Sequence, residues 1–289
     1  MTTTKRDTSI QSTVVIGSSG MTGRRLVPRL LANNVAVRAT SRKPTADQIL
    51  FDWADPGTYD AALGTADAVF LIMPALVEDP SEMVGAFLDR AKHNRVQRIV
   101  LHSSMGLEFS HENGSSGRYK VEALIKGSGL EWVSLRSGGF SQNFSESFLL
   151  PGIVHADRIA TAAGDGATAF VDVEDVAAVA EAALLRVGVG GQTFTLTGPT
   201  ALTFAKAAER IGEAVGRPIC YQALSSDHFR DILLGAGIPS DFASVLVKDQ
   251  EAIRAGEASR VSDDIPNILD RTATSFESYV AGAKSAWLK

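Results

Sequence analysis

A glycine-rich segment at residues 17–23, which reads GSSGMTG, carries the clearest chemical signal in this chain. Gly17 can take backbone angles that a side chain would forbid. Gly20 lets the main chain approach a pyrophosphate closely, and Gly23 lets the following helix pack tightly. A helix that starts here would offer free N–H groups and a partial positive charge to phosphate oxygens. We therefore expect a dinucleotide-binding loop with contacts from Gly17, Ser19, Gly20, Met21, Thr22 and Gly23.

The context of these glycines supports that interpretation more than their spacing does. The spacing is GxxGxxG rather than GxGxxG, and glycine turns also close ordinary strand–helix units. However, an apolar strand is predicted at residues 13–16, directly before the loop, and a helix at about 24–33, directly after it. A strand, a glycine turn and a helix in that order form the dinucleotide-binding unit.

A hydroxyl and two cations follow the second predicted strand, residues 35–40. They are Ser41, Arg42 and Lys43. An NAD site usually places an acidic residue here, which would repel a 2′-phosphate. The residues present suit NADP(H) instead, with Arg42 gripping the phosphate and Lys43 adding a point charge. The alternative is that both cations are solvated surface charges.

Asp52 and Trp53 end a third short strand and are further candidates for cofactor contacts. Asp52 would accept a hydrogen bond from the adenine amino group, with Trp53 near the ring. The alternative is that Asp52 is a helix-capping acid ahead of Asp55, Pro56 and Gly57.

Strand and helix signals alternate along the first half of the chain. Strands are predicted at residues 68–73, 98–102 and 131–135, and helices at 58–63, 81–94 and 118–127. This alternation predicts an α/β fold with a doubly wound, Rossmann-type parallel sheet. In such sheets the ligand lies across the carboxyl ends of the strands. Met73, Pro74, Ser103 and Ser104 are therefore expected beside the cofactor, unless they are ordinary strand-to-loop transitions.

The predicted organisation has a tail, a core and a lobe. Residues 1–12 are expected to form a flexible tail, and residues 13–150 the dinucleotide-binding core, with 170–198 rejoining the sheet. Residues 199–289 are expected to form a smaller, mostly helical C-terminal lobe over the substrate side. Helices near 204–215, 227–235 and 241–255 and a strand at 218–223 belong to that lobe.

Composition favours a cytoplasmic enzyme of small molecules. The chain has 289 residues, of which 45% are apolar, so a full core is available. Its net charge of −5 gives no overall attraction to nucleic acid or to an anionic membrane. Cys220 is the only cysteine, and the five histidines lack metal-ligand spacing, so no disulfide or metal site is expected. The first twelve residues lack a signal peptide's apolar stretch, and the longest apolar run is too short for a bilayer. Monomer and homodimer both stay open.

Taken together, these features resemble the NmrA-like atypical short-chain dehydrogenase/reductase family, from Val14 to about Tyr279. The resemblance rests on the glycine segment, on residues 41–43, and on the motifs FDW (51–53), SGLEW (128–132), QNF (142–144), FVDVEDVA (170–177) and LTGP (196–199). It implies a Rossmann fold and NAD(P)H-dependent oxidoreductase activity. Within the family, the FDW stretch is similar to festuclavine and agroclavine dehydrogenases and to quinone- and azo-reductase-like members.

One departure from the superfamily pattern bears on the mechanism. Most short-chain dehydrogenases use Tyr-x-x-x-Lys, in which the tyrosine is the acid and the lysine holds the nicotinamide ribose. Lys120 stands at the lysine position and is the candidate catalytic residue, but position 116 is a serine. Tyr119 points about 100° away from Lys120 on a helix and cannot replace the missing acid. The alternative for Lys120 is a solvated helix lysine.

The missing acid restricts the acceptors that we expect. Hydride transfer to a neutral ketone generates an alkoxide, which needs a proton donor or oxyanion support. Transfer to an iminium ion or a quinone does not. The expected activity is therefore NADPH-dependent reduction of an electron-poor acceptor, namely an iminium or imine, a quinone, an azo compound or an enone.

Phe140, Asn143 and Phe144 are expected to form the substrate wall, and the alternative for them is a core aromatic pair with a capping asparagine. A competing function is a redox sensor that binds NADP(H) without turnover, and a redox-neutral isomerase or lyase is a third. A sensor needs no apolar pocket over the nicotinamide, whereas an enzyme does. The three phenylalanines and two leucines at 140–150 favour the enzyme. His102 could face the nicotinamide or donate a proton, and the alternative is a strand-end histidine satisfied by neighbouring backbone.

Overall fold

The computed structural model describes Asp7 and residues 9–288 of the chain. Seven strands form one parallel sheet: β1 (Ser12–Val15), β2 (Ala36–Ser41), β3 (Ile49–Leu50), β4 (Ala68–Ile72), β5 (Arg98–Ser104), β6 (Glu131–Ser137) and β9 (Gln192–Leu196). Their spatial order is β3-β2-β1-β4-β5-β6-β9. The order reverses direction between β1 and β4, and a crevice opens at the carboxyl ends of strands at such a point. The predicted doubly wound, Rossmann-type sheet is confirmed.

Helices cover both faces of this sheet, because a parallel sheet has two apolar faces to bury. Strand β4, which reads AVFLI, is buried along nearly its whole length. One face packs against α1 (Gly23–Ala32), α7 (Val173–Leu185) and α11 (Asp264–Leu269). The other face packs against α2 (Tyr59–Leu63), α3 (Ser81–His93) and α4 (Gly117–Lys126). Short 3₁₀ turns at Pro56–Thr58 and Met105–Glu108 connect elements of this core.

A second lobe lies beyond the carboxyl edge of the sheet. Its helices are α5 (Asn143–Glu146), α6 (Leu150–Ala156), α8 (Phe204–Val215), α9 (Ser226–Gly235), α10 (Ser240–Arg254) and α12 (Phe276–Ala283), followed by a 3₁₀ turn at Lys284–Trp287. Two small sheets pair β7 (Arg158–Thr161) with β11 (Cys220–Ala223), and β8 (Ala167–Thr168) with β10 (Leu202–Thr203).

The core of this lobe joins segments that are far apart in sequence. Phe144 packs with Phe170, Phe204 and Phe276 in one aromatic cluster. The lobe therefore starts before residue 150, where the sequence places the end of the dinucleotide-binding core. Conversely, Ile265 of α11 packs on the main sheet, although it lies in the stretch assigned to the lobe.

The expected flexible tail differs from the structure at its described residues. Met1 to Arg6 and Thr8 lie outside the described part of the chain. Ile10, however, is buried in the core, and Ser12 already begins β1. Asp7 donates its N–H to the carbonyl of Leu185 at 2.7 Å. This docking corrects the prediction for residues 7 and 9–12, because it depends on partners distant in sequence.

Among the described residues, no helix is both long enough and apolar enough to cross a membrane.

Candidate functional site

The glycine loop has the geometry that its sequence predicts. Gly17 has φ of +74°, which favours glycine. A Cβ on Gly23 would lie 2.2 Å from the carbonyl oxygen of Gly17, and one on Gly20 would lie 3.2 Å from the same oxygen. The loop is thus closed so tightly on the start of α1 that position 23 leaves no room for a side chain.

Free donors lie at the exposed turn of this loop. Ser19 and Gly20 are exposed, whereas the side chains of Ser18 and Thr22 are buried. The N–H groups of Ser19, Met21 and Thr22 have no hydrogen-bond partner among the described residues. Donors that precede a helix and lack partners suit a phosphate, so the loop fits the pyrophosphate of a dinucleotide.

The basic residues after β2 are available for a ligand. Ser41 Oγ accepts the N–H of Lys43 at 3.1 Å and fixes the turn. Arg42 and Lys43 are exposed, and neither forms an ion pair with any residue of the described chain. A contact with the 2′-phosphate stays a prediction for Arg42 and Lys43.

Asp52 and Trp53 have structural partners. The Asp52 carboxylate accepts the N–H of Ala54 at 3.0 Å and holds a turn. Trp53 packs edge-on against Phe51 and Phe87, with ring centroids 5.0 and 5.3 Å apart. The helix-capping acid here is Asp55, whose carboxylate accepts the N–H of Gly57 at 2.9 Å, so the capping alternative does not hold for Asp52. An adenine contact stays a prediction for Asp52 and Trp53.

A cavity of about 800 Å³ opens at the carboxyl ends of β4 and β5, beneath α10. It begins beside the glycine loop, since a Cβ on Gly17 would lie 3.2 Å from Ile72 Cδ1. Six of the predicted site residues contribute to its wall: Met73, Pro74, Ser103, Ser104, Lys120 and Phe140. The cavity therefore lies next to the glycine loop, with Ile72 between the two, although no residue of the loop itself lines the cavity.

The two serines at the end of β5, Ser103 and Ser104, form hydrogen bonds that connect segments of the cavity wall. Ser103 Oγ donates to Glu122 Oε2 at 3.0 Å, and Ser104 Oγ accepts the N–H of Gly106 at 3.0 Å. Glu122, on α4, is buried, and sequence reasoning missed it. No pattern within α4 singles it out, because its neighbours one turn away, Arg118 and Lys126, are charged as well.

The charge of Glu122 is stabilised by its neighbours. Burial acts to raise the pKa of Glu122, but hydrogen bonds from Arg136 and Lys126 outweigh it and lower that pKa to about 2. A depressed folded-state pKa stabilises the fold above the unfolded pKa, near 4.5, and this contribution is lost as pH falls toward 2. We therefore predict that Glu122→Gln makes stability less dependent on pH between 5 and 2. Urea unfolding of both proteins across that range measures the difference, and parallel pH profiles would contradict the prediction.

Lys120 lies in the cavity wall, on α4. Its Nζ forms an ion pair with Asp79 Oδ2 at 2.5 Å. Ser116, at the position of the missing tyrosine, caps α4 by accepting the N–H of Tyr119 at 3.2 Å. Tyr119 is 44% exposed and does not line the cavity. Neither position 116 nor position 119 therefore places a tyrosine hydroxyl in the cavity.

His102 lines the cavity and is held by side chains rather than by backbone. Its Nε2 lies 3.1 Å from Ser137 Oγ, and its ring stacks on Phe140 at a centroid distance of 5.6 Å. Burial lowers the pKa of His102 to about 4, so the imidazole is neutral at pH 7. A neutral imidazole can hydrogen-bond a substrate but is a weak acid.

Only one of the three expected substrate-wall residues lines the cavity. Phe140 does, whereas Asn143 begins α5 outside it. Phe144 is fully buried in the lobe core, where its carbonyl accepts the indole N–H of Trp287 at 2.7 Å. For Phe144 the structure therefore replaces the predicted substrate contact with a core position.

Helix α10 supplies the opposite wall, which sequence reasoning missed. Phe242, Val245, Leu246 and Asp249 face the cavity. Their i, i+3, i+4, i+7 spacing was the available signal for one helix face. Asp249 accepts two hydrogen bonds from Arg118 at 2.8 and 2.9 Å, which tie α10 to α4.

No group of acidic, histidine or cysteine side chains that could hold a metal occurs within the described chain.

Comparisons with known proteins agree with this geometry. A family model described as NAD(P)H-binding matches residues 17–186. The uncharacterized oxidoreductase YesF of Bacillus subtilis (strain 168) is 32% identical over 279 residues, covering 95% of this chain and 96% of that protein. The NAD(P)H azoreductase of Xenophilus azovorans is 27% identical over 285 residues, covering 95% and 98%.

A solved structure shows the same fold. The Escherichia coli NADPH-dependent quinone oxidoreductase QOR2, complexed with NADPH, matches with a TM-score of 0.79 at 22% identity, covering 94% of this chain and 99% of that one. Relatives named festuclavine synthase and agroclavine dehydrogenase confirm the resemblance drawn from the motifs. The chain therefore belongs to the NAD(P)H-binding family of oxidoreductases.

Proposed function

We propose that this protein is an NADPH-dependent reductase of an electron-poor small molecule, namely an iminium or imine, a quinone, an azo compound or an enone. The observation that carries the proposal is a largely apolar cavity without a tyrosine, directly beside a dinucleotide-binding loop. The bound cofactor would supply a hydride, and the chain's own residues would orient the two partners and exclude water.

The acid–base character of the cavity supports this acceptor class. Ser116 is used as a helix cap, and His102 is neutral at pH 7. The pKa of Asp79 is lowered to about 2, mainly by its hydrogen bond from Lys120, so this carboxyl group is ionised. Ser116, His102 and Asp79 therefore offer little acid for an alkoxide, and the Lys120 ammonium is held by Asp79 and assigned to the ribose. An iminium or a quinone needs no acid during the transfer.

The wall composition favours an enzyme over a sensor. Phe140, Phe242, Val245 and Leu246 all line the cavity, so an apolar acceptor would find apolar side chains from both the core and α10. A protein that only senses NADP(H) has no need of such a space. The azoreductase and quinone oxidoreductase names of the relatives belong to those proteins, and they support the same acceptor class here.

The test is calorimetric titration with NADPH, NADH and NADP⁺, followed by NADPH oxidation assays with quinones, azo dyes and cyclic imines. Tighter binding of NADPH and acceptor-dependent oxidation are expected. Tight binding without oxidation by any acceptor would favour the sensor. No binding would contradict the assignment of the glycine loop.

The cofactor preference gives a separate prediction. Arg42→Ala removes a cation placed for the 2′-phosphate, so the dissociation constant for NADPH should rise about tenfold, as for one charge-assisted contact, while that for NADH changes little. Arg95→Ala, an arginine after α3 with no ion pair in the described chain, is the control. Equal losses for NADPH and NADH would contradict a 2′-phosphate contact.

A further inference from the structure

The loop between β4 and α3, residues 74–80, forms one side of the cavity. Six of its residues line the cavity, namely Pro74, Ala75, Val77, Glu78, Asp79 and Pro80. The loop leaves the strand beside the glycine turn, so its position decides the shape of the cavity where the cofactor and the acceptor would meet.

A carboxylate of this loop fixes the candidate catalytic lysine. Asp79 Oδ2 lies 2.5 Å from Lys120 Nζ, and Asp79 Oδ1 accepts the N–H of Ser81 at 3.1 Å. One carboxylate thus joins the lysine to the first residue of α3. Both side chains of the pair are substantially exposed, at 47% for Lys120 and 39% for Asp79. An exposed pair adds little to stability, so its main effect is on the position of the ammonium group.

The backbone of the loop rests directly on the first residue of α4. A Cβ on Gly117 would lie 2.2 Å from the carbonyl oxygen of Glu78 and 2.4 Å from Asp79 Cα. Position 117 therefore admits no side chain while the loop is docked. Gly117 and Lys120 are about one turn apart on α4, and both contact Asp79, Gly117 by close backbone approach and Lys120 through the ion pair.

We propose that Asp79 is a positioning residue, which holds Lys120 in the orientation needed to contact the nicotinamide ribose. The loop that carries Asp79 keeps its position by packing directly on Gly117. The inference rests on the proposed function, since it assigns a role toward the same cofactor. It adds a contact that the Tyr-x-x-x-Lys pattern does not contain.

Asp79→Asn tests the proposal through equilibrium binding of NADPH. Loss of the positioned ammonium should raise the dissociation constant about five- to tenfold, as for one weakened charge-assisted contact. The direction of the change in NADPH affinity is informative, because removing a negative charge near an anionic ligand would by itself improve binding. Glu78→Gln removes the neighbouring carboxylate, which has no ion pair in the described chain, and should leave binding equal or tighter.

Three further variants separate positioning from a general effect. Asp79→Glu should restore part of the affinity, and Gly117→Ala should weaken NADPH binding in the same direction. In a Lys120→Met background, Asp79→Asn should not weaken NADPH binding further, because both substitutions remove the same contact with the ribose. Asp60→Asn, in the exposed pair with Arg90 on α2 and α3, is the control for losing a surface ion pair.

The outcomes are distinguishable. If wild type fails to bind NADPH, the proposed function is contradicted. If wild type binds and Asp79→Asn binds as tightly as Glu78→Gln, the positioning role of Asp79 is overturned. An undiminished effect of Asp79→Asn in the Lys120→Met background would overturn it as well.

Discussion

Replacing Gly23 with alanine is expected to lower the affinity for NADPH by about 100-fold, as for the loss of one or two charge-assisted hydrogen bonds to phosphate. The added Cβ would lie 2.2 Å from the carbonyl oxygen of Gly17 and 2.7 Å from Ser18 Cα. Both are backbone atoms, so the clash cannot be relieved by rotating a side chain. The loop must move, and its free N–H groups move with it. Calorimetric titration with NADPH measures the loss.

Two other glycines make this prediction specific. Gly85→Ala, in α3, meets nothing within 4 Å and should leave NADPH binding unchanged. Gly20→Ala places a Cβ 3.2 Å from the same carbonyl oxygen, so it should fold and bind with an intermediate affinity. Wild-type affinity in Gly23→Ala, with the fold intact by circular dichroism, would contradict the assignment of residues 17–23 to the pyrophosphate.

Replacing Arg98 with methionine is expected to lower the free energy of unfolding by about 3 kcal/mol, as for removing one partner from a buried ion pair. Arg98 is 1% exposed. Its guanidinium donates to Asp7 Oδ2 at 2.8 Å and to the carbonyl of Leu184 at 2.7 Å, and it also pairs with Glu131. It therefore joins β5 to the end of α7 and to the N-terminal segment. Methionine fills similar volume but leaves these acceptors without their donor.

Urea unfolding of Arg98→Met measures this effect, and Arg90→Met is the matched control. Arg90 also pairs with a carboxylate, Asp60, but on the surface, where an ion pair contributes little. Similar unfolding midpoints for both variants would contradict a structural role for the buried guanidinium. A loss confined to Arg98→Met would also explain why the segment around Asp7 and Ile10 is ordered.

Local patterns predict most of the core. The alternation of apolar strands and helices gives the doubly wound sheet, and it places Lys120 on a helix that runs past the strand ends. These features depend on residues close together in sequence, where the periodicities of strands and helices can be observed directly. The glycine loop is likewise local, and its positive φ at Gly17 follows from the residue type.

The parts that could not be predicted depend on pairs distant in sequence. Phe144 is an aromatic residue of the kind that lines apolar pockets, but its partners Phe204 and Phe276 bury it in the lobe core. Ser103 donates to Glu122, and Lys120 pairs with Asp79, through contacts that no spacing rule reports. Tertiary packing decided between interpretations that the residues alone left open.

We propose that hydride transfer in this protein needs no side-chain acid. The most direct test compares NADPH oxidation by wild type and Tyr119→Phe, with a quinone and with a ketone of similar size. We expect oxidation with the quinone at the same rate in both proteins, and little or none with the ketone. Loss of quinone turnover in Tyr119→Phe with substrate binding intact, or efficient reduction of the ketone by wild type, would contradict the account.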